Sequence, residues 1–525
     1  MALTLKTPGV YIDEVNAFPN SVVPVETAVP AFIGYTARAS YKGKNLVGQP
    51  VEINSLTEFL VVFGQMTSPA DGSPPQVADD TEQYSPVYHV VPASKPPGDI
   101  ELEGKAYNLL PDPSTIYYLY NSLKLFYHNG GGKCYVVSAG LFAKAAGKAM
   151  SAGEPLVNPN VKYPELKAAL DTLEAEHDPT MIVIPDMMLL KSQDYQTLMQ
   201  DVLNQCGEMG SRVGLFDVYG GEDPDPLMYP TQQILPFRTA VGMNHLKYGA
   251  AYYPFLKATV VPDGAIDYNT LGGAKELAGV LPEAGVEPVK TILATIQKPP
   301  AQNAPSPEQL ENALLQNSKS YGQLHDLVRE RMNTLPTAGA MAGIYTMVDA
   351  QSGVWQAPAN VSLTAVTDTT LNITDRMQED LNVDALTGKS INAIRMFPGL
   401  GALVWGARTL DGNSDDWCYI NVRRTIIMIE QSVKLAARAY VFQPNTASTW
   451  LLIETMLESF LTRLWNQGAL VGAVPAQAFS VAVGLGKTMT SQDILEGVMR
   501  ITVKVAVSHP AEFIVITVSQ QMQTS

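Results

Sequence analysis

Residues 181–217 read MIVIPDMMLLKSQDYQTLMQDVLNQCGEMGSRVGLFD. Met181–Ile184 is a continuous apolar run closed by Pro185-Asp186. Tyr195–Cys206 has helical spacing, and Val213–Asp217 is a second apolar run. Short apolar strands separated by helices indicate a parallel sheet covered on both faces. The same alternation extends outwards. Leu166–Ala175 reads as a helix, and Cys134–Val137, Ala31–Tyr35 and Tyr248–Leu256 read as strands. A helix over Tyr117–His128 ends at Gly130-Gly131-Gly132, and Ser55 has capping-box spacing to Glu58 at the start of a short helix. Asp186 and Asp217 fall at carboxyl ends of strands, where α/β folds often bind ligands. No His, Cys or Ser constellation accompanies them, and as loop caps they need no catalytic role.

With 525 residues the chain is long enough for two to four domains. Hydrophobic residues make up 46% and charged residues 16%, as in a folded protein with ample core. A formal charge of −16 argues against general nucleic-acid binding. The acidity is uneven: from Trp355 onwards there are 12 Lys+Arg against 14 Asp+Glu, whereas the first 354 residues hold 23 against 37. A nearly neutral part joined to a repulsive one is expected if the neutral part is buried in an assembly. The 3 cysteines lie far apart and form no CxxC, so neither a disulfide framework nor a zinc site is indicated. The N-terminus has no signal-peptide core, and no apolar run is long enough to span a membrane. Synthesis in the cytoplasm without a signal peptide, and no membrane insertion, are the expectations.

Both termini carry strand patterns. In Val10-Tyr11-Ile12-Asp13-Glu14-Val15 apolar and polar residues alternate after Pro8-Gly9, and Phe513-Ile514-Val515-Ile516-Thr517-Val518 is apolar at nearly every position. A terminal strand without a nearby hairpin partner pairs with a distant part of its own chain or with another chain. Residues 66–114 read as an irregular Pro-rich excursion. Residues 262–338 read as an insertion holding a polar helix from Ser306 to about Met332, with His325 solvated on it. The sheet pattern resumes as a strand over Ala342–Met347, followed by strands over Leu363–Ile373, Ile391–Ile394 and Val404–Arg408.

Asn421–Phe442, NVRRTIIMIEQSVKLAARAYVF, reads as a basic two-faced helix. Ile426, Ile429, Val433, Ala436 and Tyr440 share one face; Arg424, Gln431, Lys434 and Arg438 share the other, with Ile427 as its apolar member. A second amphipathic helix follows, capped by Thr446 or Ser448 and running through Trp465. Ile501, Val503, Val505 and Val507 then alternate as a half-buried strand. Gly484-Leu-Gly486-Lys487-Thr488 is not a phosphate loop, because the required glycine is Val481. Asp411–Asp416 is not a calcium loop, because its sixth position is aspartate. Neither a cofactor, a metal nor an enzymatic activity is indicated.

Several pieces, in order, resemble contractile tail sheath proteins of phages and, more closely, of phage-tail-like extracellular contractile injection systems. They are Thr7–Tyr11, Gly130–Val137 (GGGKCYVV), Ala340–Asn360 (AMAGIYTMVDAQSGVWQAPAN) and Ile391–Leu410 (INAIRMFPGLGALVWGARTL), then Trp417–Asn445, Leu464–Ala473 and Pro510-Ala-Glu-Phe513. Residues 66–114 and 262–338 do not match the pattern well. The resemblance implies a non-enzymatic subunit that forms stacked hexameric rings around an inner tube and contracts to drive the tube through a target envelope. Partners would be further copies of itself, the inner tube protein, and baseplate and terminal cap proteins, with no nucleic acid. It also implies that the terminal arms add strands to neighbouring subunits, Val10–Val15 pairing in trans near Phe513–Val518. Arg423, Arg424, Lys434 and Arg438 would face the tube. A virion tail or a released phage-tail-like particle would be the final location.

The expected fold class is multi-domain α/β and α+β: a central α/β parallel-type sheet domain inserted in an α+β assembly domain, with extended N- and C-terminal β-arms. The corresponding ranges are an arm at 1–20, an N-terminal frame at 21–130, a central domain at 131–360, an assembly domain at 361–508 and a strand arm at 509–525. Two alternatives remain: an α/β enzyme with a site at Asp186 and Asp217, and a non-polymerising baseplate or terminator protein sharing sheath domains.

Overall fold

The computed structural model describes residues 22–64, 66–67, 76–77, 84–94, 97–298, 305–382, 384 and 386–513. The chain divides into two units. The larger runs from Glu26 to Arg424 and takes up the chain again from His509; the smaller combines the segment up to Val25 with Thr425–Ser508.

The larger unit is built on one nine-stranded mixed sheet. Its strands are β1 (Pro30–Thr36), β2 (Pro50–Ile53), β3 (Cys134–Leu141), β4 (Met181–Val183), β5 (Val213–Asp217), β6 (Gly249–Tyr253), β7 (Val361–Ser362), β8 (Asn392–Phe397) and β9 (Gly401–Trp405). Their spatial order is β2-β3-β1-β4-β5-β6-β8-β9-β7. The six from β3 to β8 run parallel; β2 and β9 run antiparallel to them, and β7 pairs antiparallel with β9. In register, Phe32 lies between Val136 and Val183, and Leu215 between Val183 and Ala250. Every residue of β1, β4, β5 and β6 is buried, as the continuous apolar runs require of strands covered on both faces. Two helix pairs supply the cover: α1 (Leu119–His128) with α4 (Ala338–Ser352), and α2 (Tyr163–Thr172) with α3 (Ser192–Met209).

The parallel-sheet reading holds, and several boundaries change. The sheet starts at residue 30, not 131, because β1 lies inside it, between β3 and β4. It also incorporates residues 361–405 through β7, β8 and β9, which were expected in the assembly domain. Ala342–Met347 is helical, inside α4. Its residues are small and apolar because α4 packs closely on α1. A Cβ on Gly343 would stand 2.5 Å from the Phe126 carbonyl oxygen, and one on Gly339 2.8 Å from Ser122 Cβ. Leu363–Ile373 is not one strand but a short one at Val366–Thr369 after β7. The excursion is more ordered than its composition implied: Tyr88–Pro92, Lys105–Pro111 and Ile100–Leu102 form a three-stranded antiparallel sheet. The polar helix after Ser306 is two helices, Pro307–Asn317 and Lys319–Met332, with Ser318 capping the second. His325 is buried, not solvated.

The two segments outside the family pattern hold each other. Tyr88 N donates to Thr270 O at 2.7 Å. Glu276 of the insertion accepts from Val90 N and meets His89 Nδ1, both at 2.8 Å. Arg331 pairs with Asp99 at 2.9 Å.

The smaller unit contains most of α5 (Ile420–Arg438), which begins in the larger unit, followed by α6 (Ala447–Asn466). A hairpin of Phe479–Val483 and Ile501–Val505 packs on α6. The alternating strand expected at Ile501 is present, with Ile501, Val503 and Val505 half-buried and Thr502 and Lys504 exposed. Val25 N donates to Ser432 Oγ at 3.0 Å, and Arg463 donates to Val22 O at 2.8 Å, so the segment entering this unit lies on both helices.

Candidate functional site

Both aspartates at the strand ends are structural caps of helices distant in sequence. Asp186 Oδ1 accepts from Tyr118 N at 2.6 Å and Leu119 N at 3.1 Å, at the start of α1, and its Oδ2 accepts from Tyr35 N at 2.8 Å. Gly34 makes room for it: a Cβ there would lie 2.5 Å from Asp186 Oδ2. Asp217 Oδ1 accepts from Thr337 N at 2.6 Å and Ala338 N at 3.0 Å, at the start of α4. Such bonds satisfy donors that a helix N-terminus leaves unpaired. Burial pushes the Asp186 carboxyl up to about 6 and that of Asp217 up to about 7, against the backbone donors that pull both down. The carboxylates are therefore engaged in holding the two mutually packed helices to the sheet.

Buried ionic clusters flank the places where the chain passes between units. Arg424 grips Asp349 of α4 with two bonds, Nη1 to Oδ1 at 3.0 Å and Nη2 to Oδ2 at 2.6 Å. Thr27 Oγ1 donates to the same carboxylate at 2.6 Å, and its carbonyl accepts from Arg424 at 3.0 Å. The guanidinium also lies 4.6 Å from the centre of the Tyr345 ring. Past the third crossing, Glu512 accepts from Arg408 at 2.6 Å, Tyr419 Oη at 2.9 Å and Asn382 at 2.7 Å. These bonds hold its carboxyl below the usual glutamate range against the opposing effect of burial.

The basic helix divides at the unit boundary. Arg423 and Arg424 are only 2% and 4% exposed, so the expectation of an exposed four-cation row is corrected for these two. Arg423 is stacked between Tyr248 and Trp417, at 4.8 and 4.7 Å from their ring centres. Lys434 and Arg438 are exposed. Ile427, assigned to the polar face, is buried, and the buried stripe continues through Met428, Ile429 and Ser432. Of the terminal strands, Val10–Val15 and Ile514–Val518 lie outside the described residues. Phe513 is described; it is 73% exposed and belongs to no strand. Among the described residues no group of three His, Cys, Asp or Glu could hold a metal, and no helix is long and apolar enough to cross a membrane.

The phage tail sheath C-terminal domain family matches residues 413–521. The tail sheath protein of Vibrio phage KVP40 is 25% identical over 154 residues, which are 29% of this chain and 22% of that protein. The chain thus aligns with less than a quarter of that curated relative's length. The helical sheath of the anti-feeding prophage in its contracted state is similar over 99% of this chain and 100% of that one, with 25% identity and a TM-score of 0.58. The chain is thus similar to tail sheath proteins, in sequence over its C-terminal part and in fold along its whole length. A chain from the anti-feeding prophage baseplate structure is also similar, at 26% identity, a TM-score of 0.57, and coverage of 99% of this chain and 100% of that one.

The match to the family's C-terminal domain includes α5, α6 and the hairpin. That region also carries much of the exposed apolar surface. Among the described residues, ten of 22 exposed large hydrophobic side chains belong to the smaller unit, including Leu451, Leu452 and Phe442. A unit that holds under a fifth of the described residues should carry far fewer. Sequence reading did not single out Asp349, Thr27, Arg408 or Glu512 as interacting residues. The available signal was that Asp349, Arg408 and Glu512 each fall within one of the quoted motifs, Ala340–Asn360, Ile391–Leu410 and Pro510–Phe513.

Proposed function

We propose that this chain is the repeating subunit of a contractile sheath, assembling as stacked hexameric rings around an inner tube and contracting to drive that tube through a target envelope. The observation that carries the reading is the end-to-end likeness to a helical sheath in its contracted state. The smaller unit is the assembly domain in this reading. Its hairpin is a two-stranded sheet, and such a pair is marginal alone and gains from added strands. The arms 1–15 and 513–518 supply them to neighbouring subunits. Backbone pairing keeps subunits connected without fixing the side-chain contacts that change as rings move. Lys434 and Arg438 face the inner tube through exposed charge pairs, each worth about 0–1 kcal/mol and therefore releasable. Baseplate and cap proteins bound the stack, which belongs to a phage tail or to a released injection particle.

Contraction requires the extended lattice to be trapped and the contracted one to be lower in free energy, with small differences summed over many subunits. Electron microscopy of the purified chain tests the polymerising reading. Long hollow tubes or stacked rings are expected. Single rings that never stack would favour a baseplate or terminator role, and a discrete globular oligomer would overturn the sheath assignment. Deleting residues 1–15 should leave the larger unit folded while abolishing stable tubes.

A further inference from the structure

A cavity of about 580 Å³ opens beside the carboxyl end of β5. Tyr219 and Glu222 line it from the segment after β5, Tyr118 from the start of α1, Tyr88 and Asp99 from the antiparallel sheet and its loop, and Arg331 from the last turn of helix Lys319–Met332. The volume is that of a small-molecule site, and its position at strand carboxyl ends is where α/β folds bind ligands. Tyr88 and Tyr118 are 5% and 7% exposed, and their hydroxyls are not among the buried atoms shut off from both solvent and a partner. Both residues line the cavity, so a polar group bound there can reach their hydroxyls.

Charge selects the class of that group. Arg331, the cation of the lining, is taken up by Asp99 at 2.9 Å. Glu222 forms no ion pair among the described residues, and burial pushes its carboxyl up. It heads the charges acting on the Tyr118 hydroxyl, with Tyr88 next. A carboxylate and two phenols thus converge on one space, together with tyrosine rings whose faces attract cations. An anion would meet no uncommitted cation here. A divalent metal would lack ligands, since the described residues hold no group of three metal-binding side chains. An apolar guest would leave the carboxylate and hydroxyls unsatisfied. An ammonium group has three donors and answers all of these acceptors.

We propose that this cavity binds a small organic cation bearing a primary ammonium group, seated on Glu222 and the Tyr88 and Tyr118 hydroxyls. The group belongs either to a free polyamine or to a lysine side chain of another protein chain. The proposal is independent of the sheath reading. It is tested by calorimetric titration of the purified full chain, at constant ionic strength, with spermidine and separately with Nα-acetyl-lysine methylamide; magnesium chloride controls for the overall acidity. Saturable binding of at least one amine is expected, weakened about tenfold or more in Glu222→Gln and several-fold in Tyr118→Phe. Binding of spermidine alone assigns a free amine, and binding of the lysine derivative alone assigns a partner's side chain. No binding of either would overturn the proposal. So would heats matched by magnesium and unchanged in both variants; Tyr118→Phe alone decides if Glu222→Gln does not fold.

Discussion

Replacing Asp217 and Asp186 with asparagine should have opposite consequences, although both are buried caps at neighbouring strand ends. At Asp217 both helix N–H groups converge on Oδ1, so an asparagine oxygen there keeps both bonds while removing a buried charge. At Asp186 the two oxygens each accept, Oδ1 from Tyr118 and Leu119 and Oδ2 from Tyr35, so an amide nitrogen must oppose a backbone N–H. Losing that bond and leaving a donor unsatisfied costs about 1–3 kcal/mol. The pH dependence follows from the raised carboxyls. A group whose folded value lies above its unfolded one contributes stability that is present below the unfolded value and is lost as pH rises through the folded value. For Asp217 the rise from 3.8 to about 7 corresponds to at most about 4 kcal/mol lost between mildly acidic and alkaline solution. Asp217→Asn removes that loss. Urea unfolding from about pH 4 to about pH 8 should therefore find it at least as stable as the parent at the alkaline end, with a flatter pH profile. Asp186→Asn should be destabilised across the range. Equal destabilisation by both variants, or an unchanged profile in Asp217→Asn, would refute the capping account.

Three further outcomes are expected. Arg424→Met should destabilise the larger unit by about 3–5 kcal/mol by stranding the buried Asp349 carboxylate, and the double variant Arg424→Met/Asp349→Leu should recover part of it in a double-mutant cycle. Gly343→Ala should cost about 1–3 kcal/mol in thermal unfolding because its Cβ meets the α1 backbone, whereas Gly322→Ala, with nothing within 4 Å, should stabilise its helix by up to about 1 kcal/mol. Reversing charge at Lys434 and Arg438 should leave unfolding curves unchanged while impairing co-assembly with an inner tube in pull-down and microscopy.

The apolar strands at Ala31, Cys134, Met181 and Val213 were legible because each is covered on both faces, so burial writes an unbroken apolar run into the sequence. The same logic misled at Ala342–Met347. A helix buried all round loses its amphipathic period, and its small residues look like strand when α1 is not in view. Its length was the better guide, because the small and apolar run from Ala338 continues past eight residues. At residues 66–114 proline content concealed a sheet whose strands Tyr88–Pro92 and Lys105–Pro111 each end on proline; the residue after each proline makes the next cross-strand bond, Ala93 N to Ala106 O and Asp112 N to Val87 O. For the candidate site, the basic row of α5 was visible as spacing, but spacing carries no information about which cations have a buried carboxylate waiting. Asp349 lies 75 residues before Arg424, and only the packing of α4 brings them together.

The positions of the ionic clusters bear on how such a subunit could transmit force. The chain passes between its units at Val25–Glu26, Arg424–Thr425 and Ser508–His509. Within the larger unit, Thr27 and Arg424 share one carboxylate, that of Asp349, and Glu512 collects Arg408, Tyr419 and Asn382. All three strands of chain are therefore tied down within a few residues of leaving. Apolar contacts tolerate sliding, because one hydrophobic neighbour can replace another at little cost. A buried bidentate pair does not, since separating it strands a charge in a low-dielectric interior. In a lattice where the smaller unit and its arms hold neighbouring subunits, pull on the arms would reach the nine-stranded sheet through these anchors before it disturbed the core. Glu512 thereby ties the segment that follows the third crossing to the larger unit.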